Sequence, residues 1–198
     1  YNSGLVKYNG NTWTFYDTSN SELPDNYIDC IYADENDIWV AFQGALLKFN
    51  GSNWTTFNTE NSNISNELTL KIEKDINGNF WLLHFDGLEK FDGNDFTFFK
   101  PANPDIISTN FYSMSISDNN IIWIGSGSTT SGIGGLVSFY GTSWVKYDTT
   151  NSDISNDGIG EVFVDNSENV WMSGGSKGLV DMKKDTSWTQ FNVSNTTL

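Results

Sequence analysis

Basic residues are scarce in this chain, and cysteine, histidine and proline are nearly absent. Ten Lys and Arg stand against 25 Asp and Glu, a formal net charge of −15 over 198 residues. The ten cations form no cluster, so counterion release gives no drive toward nucleic acid, and an anionic membrane surface repels the chain. The single cysteine, Cys30, excludes an internal disulfide and a cysteine zinc site. No apolar run approaches the roughly 18–20 residues that span a bilayer, so no membrane insertion is expected. Residues Tyr1 to Tyr8 lack the charged start and apolar stretch of a signal peptide, so a targeting segment is expected to be absent or already removed. No window carries the three-to-four apolar spacing that a helix of ten or more residues needs.

What the chain does have is aromatic mass, with eight Trp and fourteen Phe, and these recur at fixed intervals. One series falls at Trp39, Trp81, Trp123 and Trp171, with spacings of 42, 42 and 48 residues. A second falls at Trp13, Trp54, Phe96, Trp144 and Trp188, spaced by 41, 42, 48 and 44. Both lengthen at the same place, so one insertion accounts for both. A third marker pairs a small residue with Leu at Gly4-Leu5, Ala45-Leu46, Gly87-Leu88, Gly135-Leu136 and Gly178-Leu179. A fourth is polar: Asn20-Ser21, Asn61-Ser62, Asn151-Ser152 and Asn195-Thr196. Self-similarity at this period signals a repeat architecture.

Within a unit, short β-branched or aromatic segments alternate with Gly, Asn and Asp, which predicts four strands. In the second unit these are 27–33, 37–42, 45–49 and 53–58. Asp/Asn-rich turns such as Asp75 to Asn79 suit the first connection, because these side chains bond the local backbone and tolerate left-handed conformations. Asn9-Gly10, Asn50-Gly51 and Asp92-Gly93 mark hairpins between the third and fourth strands.

Four strands every 40–50 residues is the spacing of a β-propeller blade, whose sheets stand around a central channel and bury their faces against one another. The expected fold is therefore all-β, a propeller of four-stranded antiparallel blades. The repeated aromatics are expected to fill the layers between blades. About 4.5 blades are present: a partial blade and linker over 1–26, blades over 27–67, 68–110 and 111–157, the last of these with the insertion, and a blade over 158–198. Eighteen strands do not close a ring of four-stranded blades, so the expectation is a piece of a five-bladed or larger ring and of a longer polypeptide.

The units resemble the two-component regulator propeller repeat, through Asp75, Gly78-Asn79, Trp81, Gly87-Leu88 and Phe91-Asp92-Gly93. Trp13-Thr14-Phe15-Tyr16, followed by Asn20-Ser21 and Leu23-Pro24, resembles the variant found in secreted and cell-surface bacterial proteins exported by type IX secretion. The resemblance covers essentially the whole chain. It implies a non-catalytic binding segment outside the cell or on its surface, with the export machinery as a further partner. An acidic, Asn/Ser/Thr-rich surface suits that setting. The alternative is the periplasmic, oligosaccharide-sensing propeller of a hybrid histidine kinase. Ala45, Phe96 and Lys183-Lys184-Asp185 depart from the family pattern at structural positions.

No catalytic residue is assigned. His84 is the single histidine, and both a triad and the lyase chemistry of related propellers need several convergent polar groups. No metal site or cofactor is expected. Calcium is the metal to weigh because the Asp/Asn turns are oxygen-rich, but none has the spaced carboxylates of an EF-hand, and turn chemistry explains them. Asn-x-Ser/Thr triplets at Asn50, Asn53 and Asn63 are expected by chance in so Asn-rich a chain. The insertion, Ser126 to Gly134, lies between the second and third strands, on the face that carries the inter-blade linkers. Candidate ligand-binding residues on that face are Gln43, His84, Phe85, Asp86, Ser128, Thr129, Thr130 and Lys177, with a protein or glycan as ligand.

Overall fold

The structure is a computed structural model and describes residues 4–34, 37–107, 110–127, 134–154, 158–173, 178–183 and 187–194. These hold eighteen strands in five antiparallel sheets. The first sheet pairs β1 (Leu5–Tyr8) with β2 (Trp13–Tyr16). The second runs β3 (Cys30–Ala33), β4 (Ile38–Phe42), β5 (Ala45–Phe49) and β6 (Trp54–Asn58). The third runs β7 (Lys71–Lys74), β8 (Phe80–Leu83), β9 (Leu88–Phe91) and β10 (Phe96–Phe99). A single helical turn, α1 (Pro104–Ile107), leads to the fourth: β11 (Asn110–Ile116), β12 (Ile122–Gly127), β13 (Gly134–Tyr140) and β14 (Ser143–Tyr147). The fifth contains β15 (Val162–Val164), β16 (Val170–Ser173), β17 (Leu179–Met182) and β18 (Trp188–Phe191). Every neighbour in a sheet is the next strand in the chain, so each sheet is a simple meander.

The strands expected in the second unit appear with one difference, at the first. Pairing starts late, with the Asp29 N–H on the Ala41 carbonyl at 3.0 Å, because the Tyr27 N–H is already taken by the Asp25 carboxylate at 2.8 Å. Residues 25–29 are thereby held as a linker.

The core lies between sheets. Trp39 on β4 sits 4.1 Å, centroid to centroid, from Phe80 of the next sheet, and Trp81 on β8 sits 5.7 Å from Phe139. Trp123 packs with Ile154 of the linker and with Val162 and Met172 of the fifth sheet. Each indole buries about 150–250 Å², roughly 4–6 kcal/mol of transfer free energy before entropy is counted. Trp54, Trp144 and Trp188 are half-buried but pack against the core clusters, whereas two repeated aromatics depart from the filling role: Trp171, half-buried and in none of the clusters, and Trp13, 62% exposed and stacked on Tyr8 at 4.4 Å. Leu5 and Tyr16 point from the two-stranded sheet into the second sheet, so the alternation of the strands turns Val6, Tyr8, Trp13 and Phe15 the other way, where no described residue buries them.

The first strands β3, β7, β11 and β15 lie side by side along one edge of the array. Their free backbone groups are met by side chains from the neighbouring sheet. Lys71 Nζ donates to the Met114 carbonyl at 2.5 Å, Glu73 Oε2 accepts the Ile116 N–H at 2.9 Å, and Ser115 Oγ accepts the Val164 N–H at 3.0 Å.

The polar markers are turn devices. Asn61 accepts the Asn58 N–H at 2.8 Å and donates to the Thr56 carbonyl at 2.9 Å, and Asn151 does the same with Asp148 and Lys146 at 2.9 and 3.0 Å. This reverses the chain after the outer strand and drops Ile64 and Ile154 into the core. The hairpin loops are likewise closed by a side chain: Asn50 Oδ1 accepts the Ser52 and Asn53 N–H groups at 3.0 and 2.8 Å.

Candidate functional site

The turns between second and third strands share a face with the linkers that join consecutive sheets, and each described turn fastens a linker. The Gln43 amide donates to the Asn66 carbonyl at 3.3 Å, His84 Nδ1 lies 3.0 Å from the Leu68 carbonyl, and the Phe85 carbonyl accepts the Phe111 N–H at 2.9 Å. Gln43 and His84, from adjacent sheets, thus grip the same short segment, Asn66 to Leu68.

These candidates differ sharply in what they present to solvent. Gln43 is exposed, and Phe85 is 46% exposed. Asp86 is half-buried and paired with Lys100, whose ammonium it holds above the ordinary lysine value through their hydrogen bond and charge. His84 does not reach the surface. It is 1% exposed and stacked on Phe98 at 5.5 Å, with Nε2 3.3 Å from Glu89 Oε2, which is equally buried. The Glu89 carboxylate also accepts the Ser65 N–H and hydroxyl at 2.8 and 2.9 Å. The imidazole and carboxylate therefore knit the turn, the third strand and the linker together from inside. Ser128, Thr129, Thr130 and Lys177 lie outside the described residues.

Beside Gln43 the face opens into a cavity of about 420 Å³. Tyr27, Asp25 and Asp29 from the preceding linker, Phe42 from the end of β4, and Leu68 from the following linker line it with Gln43. Tyr27 is 61% exposed. The Thr69 N–H bonds the Asp29 carboxylate, yet Asp29 Oδ2 is enclosed without a hydrogen-bond partner. Burial pushes the Asp29 carboxyl above its ordinary value, and the Thr69 bond only partly offsets this.

Tyr27, Asp25 and Asp29 were not among the residues expected from the sequence. A signal was present, because Tyr27 is a large aromatic that belongs to neither Trp/Phe series. Among the described residues no group of three or more His, Cys, Asp and Glu gathers as a metal site.

No family model matches the chain, and no curated protein does. Solved structures do. PorZ, a bacterial surface component of the type-IX secretion system of Porphyromonas gingivalis, aligns over 99% of this chain and 32% of its own, at 18% identity and a TM-score of 0.74. The extracellular domain assigned to the hybrid two component system BT3049 from B. thetaiotaomicron aligns over 87% of this chain and 24% of its own, at 24% identity and a TM-score of 0.61. Virginiamycin B lyase from Staphylococcus aureus aligns over 91% of this chain and 59% of its own, at 12% identity and a TM-score of 0.67.

The chain is built of β-propeller blades. Identities this low carry the fold and nothing finer. The propeller neighbours from a two-component system and from type IX secretion agree with the resemblance read in the repeat. This propeller segment spans less than two thirds of the length of each of the three chains. No described helix is long and apolar enough to cross a membrane.

Proposed function

We propose that this propeller segment is a non-catalytic binding module that presents its turn-and-linker face to a protein or glycan. The observation that carries this reading is the cavity beside Gln43, flanked by exposed Tyr27 and joined along the same face by exposed Phe85. An aromatic rim around a few polar groups is the usual make-up of a recognition pocket. The blades are held by buried aromatics and satisfied turns, which leaves this face free to vary without disturbing the fold. His84, the side chain best suited to acid–base work, is committed to packing and to Glu89.

The propeller belongs, in this reading, to a secreted or cell-surface bacterial protein exported by type IX secretion. The alignment of PorZ along almost the entire chain supports that setting. The periplasmic sensor of a hybrid two-component system is the second reading, favoured by the alignment with such an extracellular domain. A C-terminal sorting domain in the native polypeptide supports secretion, whereas a membrane helix followed by a kinase supports the sensor.

The binding role is tested on immobilised glycans and peptides with the wild-type chain and the Tyr27→Ala and Phe85→Ala variants. Hits that weaken about tenfold or more in either variant support this face. Hits indifferent to both substitutions place recognition elsewhere and end the proposal.

A further inference from the structure

We propose that a cleft between the third and fourth sheets binds a carboxylate carried on a six-membered ring, through Lys90 and Tyr140. The cleft opens at the end of the blades opposite the linkers, so it stands apart from the binding face assigned above.

Two departures from the repeat meet there. The first is a lysine without its acid. Lys48 and Lys90 stand opposite Trp39 and Trp81 in the same register, and each holds its ammonium over the indole, at 5.5 and 5.9 Å. Lys48 also pairs with Asp37 at 2.9 Å. In the fifth sheet Lys183 lies over Trp171 at 5.4 Å and pairs with Asp181. Of these three cations, Lys90 alone lacks a carboxylate, because Asn79 takes the place of Asp37 and gives its amide to Asp75. Lys90 Nζ has no hydrogen bond or ion pair among the described residues. Asp75 is no substitute, since its oxygens accept from Asn77, Asn79 and Trp81. The Asp92 carboxyl is lowered chiefly by the Asp95 and Asn94 N–H groups, and Lys90 adds only a lesser pull from beyond ion-pair distance.

The second departure is Tyr140. In the first three sheets the residue before the hairpin glycine is Asn9, Asn50 or Asp92, and each closes its turn by accepting two backbone N–H groups. Tyr140 holds that place before Gly141, cannot close the turn, and leaves a large ring 62% exposed. Breaks in an otherwise consistent local pattern concentrate at functional sites. Both departures border one cavity of about 330 Å³, lined by Lys90, Asn77 and Tyr140 together with Trp81, Phe99 and Phe139. The last three rings pack on one another at 5.6, 5.7 and 5.2 Å, which makes a firm apolar wall.

A ligand carboxylate supplies to Lys90 what Asp37 supplies to Lys48, a charge-assisted bond. The cavity is at the small end of the roughly 300–1,000 Å³ of ligand pockets, which suits a single ring better than an extended chain. Tyr140 and the aromatic wall accept the apolar face of that ring. The exposed Asn77 amide offers one donor group and one acceptor to its substituents. The net charge of −15 is screened over about 8 Å at physiological salt, so the nearby ammonium decides what docks.

The test is a titration of the wild-type chain, followed by backbone NMR shifts, with methyl glucuronide, its neutral counterpart methyl glucoside, benzoate and acetate. Shifts at Lys90, Asn77 and Tyr140 are expected with the glucuronide. The glucoside is expected to bind about tenfold or more weakly, and Lys90→Gln to cost the glucuronide a similar factor, whereas Lys90→Arg keeps most of the affinity. Tyr140→Asn restores the turn residue of the other blades, so it preserves the fold, and it is expected to weaken binding about threefold or more. Preference for glucuronide over benzoate assigns the ring to a sugar acid, and the reverse preference assigns it to an aromatic acid. Equal affinity for glucuronide and glucoside, acetate binding as tightly as either ring acid, indifference to Lys90→Gln, or no binding by either ring acid overturns the assignment.

Discussion

The indole N–H of Trp81 donates to Asp75 Oδ2 at 3.0 Å, so the aromatic that fills a layer between blades is tied to the turn preceding its own strand. Asp75 is 8% exposed and also accepts from the N–H groups of Asn77 and Asn79, both at 2.9 Å, and from the Asn79 amide at 2.8 Å. Trp171 and Asp165 repeat the bond at 2.8 Å. Where the Asp-to-Trp spacing of six residues is lost, the bond is lost too. Trp39 follows Asp34 by five residues, and its indole nitrogen is buried without a hydrogen-bond partner. The Asp turns of these two blades therefore orient tryptophans, and their oxygens are already occupied.

Asp75→Ala strips one acceptor from four donors at once. The expected loss is about 3 kcal/mol, on the scale of hydrogen bonds to a charged group. Urea unfolding checks it, and a change below about 0.5 kcal/mol means the turn does not depend on this carboxylate.

The same turns predict the acid limit of the fold. Burial pushes the Asp75 carboxyl up, but the bonds from Asn79, Trp81 and the backbone outweigh it and hold the group below its ordinary value. Asp165 is held lower still, chiefly by Trp171 and Asn169. A folded-state value below the unfolded one adds stability that is complete above the unfolded value of 3.8 and is lost as pH falls through the folded one. The urea midpoint is expected to hold steady near pH 5 and to fall below about pH 4. Asp75→Asn is expected to flatten part of that fall, and an identical pH profile in the variant rules out the linkage.

Asp29 has the opposite sign. Its carboxyl is raised by burial, so stability present below pH 3.8 is lost as pH rises through the folded value. Asp29→Asn is therefore expected to raise the urea midpoint at pH 7 and leave it almost unchanged near pH 3. A lower midpoint at pH 7 shows that the ionised carboxylate stabilises the linker after all.

The small-Leu marker is a backbone-clearance requirement. Gly135 has φ of 142°, and a Cβ built there meets the Tyr147 carbonyl oxygen of the neighbouring strand at 2.2 Å. The second blade carries Ala45 at the corresponding place and moves the left-handed glycine one residue back, to Gly44 at φ 72°. Gly135→Ala is expected to cost about 2–3 kcal/mol, against about 1 kcal/mol for Gly51→Ala, whose Cβ meets nothing within 4 Å. Equal losses in urea unfolding show that only the φ angle matters.

The blades were legible in the sequence because each marker answers a demand that every unit repeats: an indole between sheets, a clearance glycine, an Asn that closes the outer turn. Trp13 shows the limit of that reading, since its place in the series says that it belongs to a layer but not whether anything covers it. The cavity was not legible, because the sequence reads Tyr27 and Asp29 as the start of a strand, and only the fold holds them with Asp25 as a linker beside Gln43. His84 was noticed for its chemistry, yet the informative residue was its partner. Glu89 stands where the other four-stranded blades place Leu47, Val137 and Val180, and that break in the repeat carried the signal.

That pair of departures gives the sharpest test of how the blades are specified. His84 and Glu89 occupy the positions of Phe42 and Leu47 in the preceding blade, both buried and apolar. Nδ1 lies against the Leu68 carbonyl, and Nε2 lies 3.3 Å from Glu89 Oε2. Glu89→Leu alone strands the imidazole and the Ser65 donors, and His84→Phe alone leaves the buried carboxylate with only its two Ser65 bonds. Each is expected to cost about 1–3 kcal/mol, the usual result of leaving a buried polar group without its partner. The double variant recreates the apolar pair of the neighbouring blade and is expected to recover part of that loss, because imidazole and carboxylate leave together and only the Ser65 donors stay unmatched. A double-mutant cycle in urea measures the coupling, and losses that simply add show that the two residues entered the blade independently.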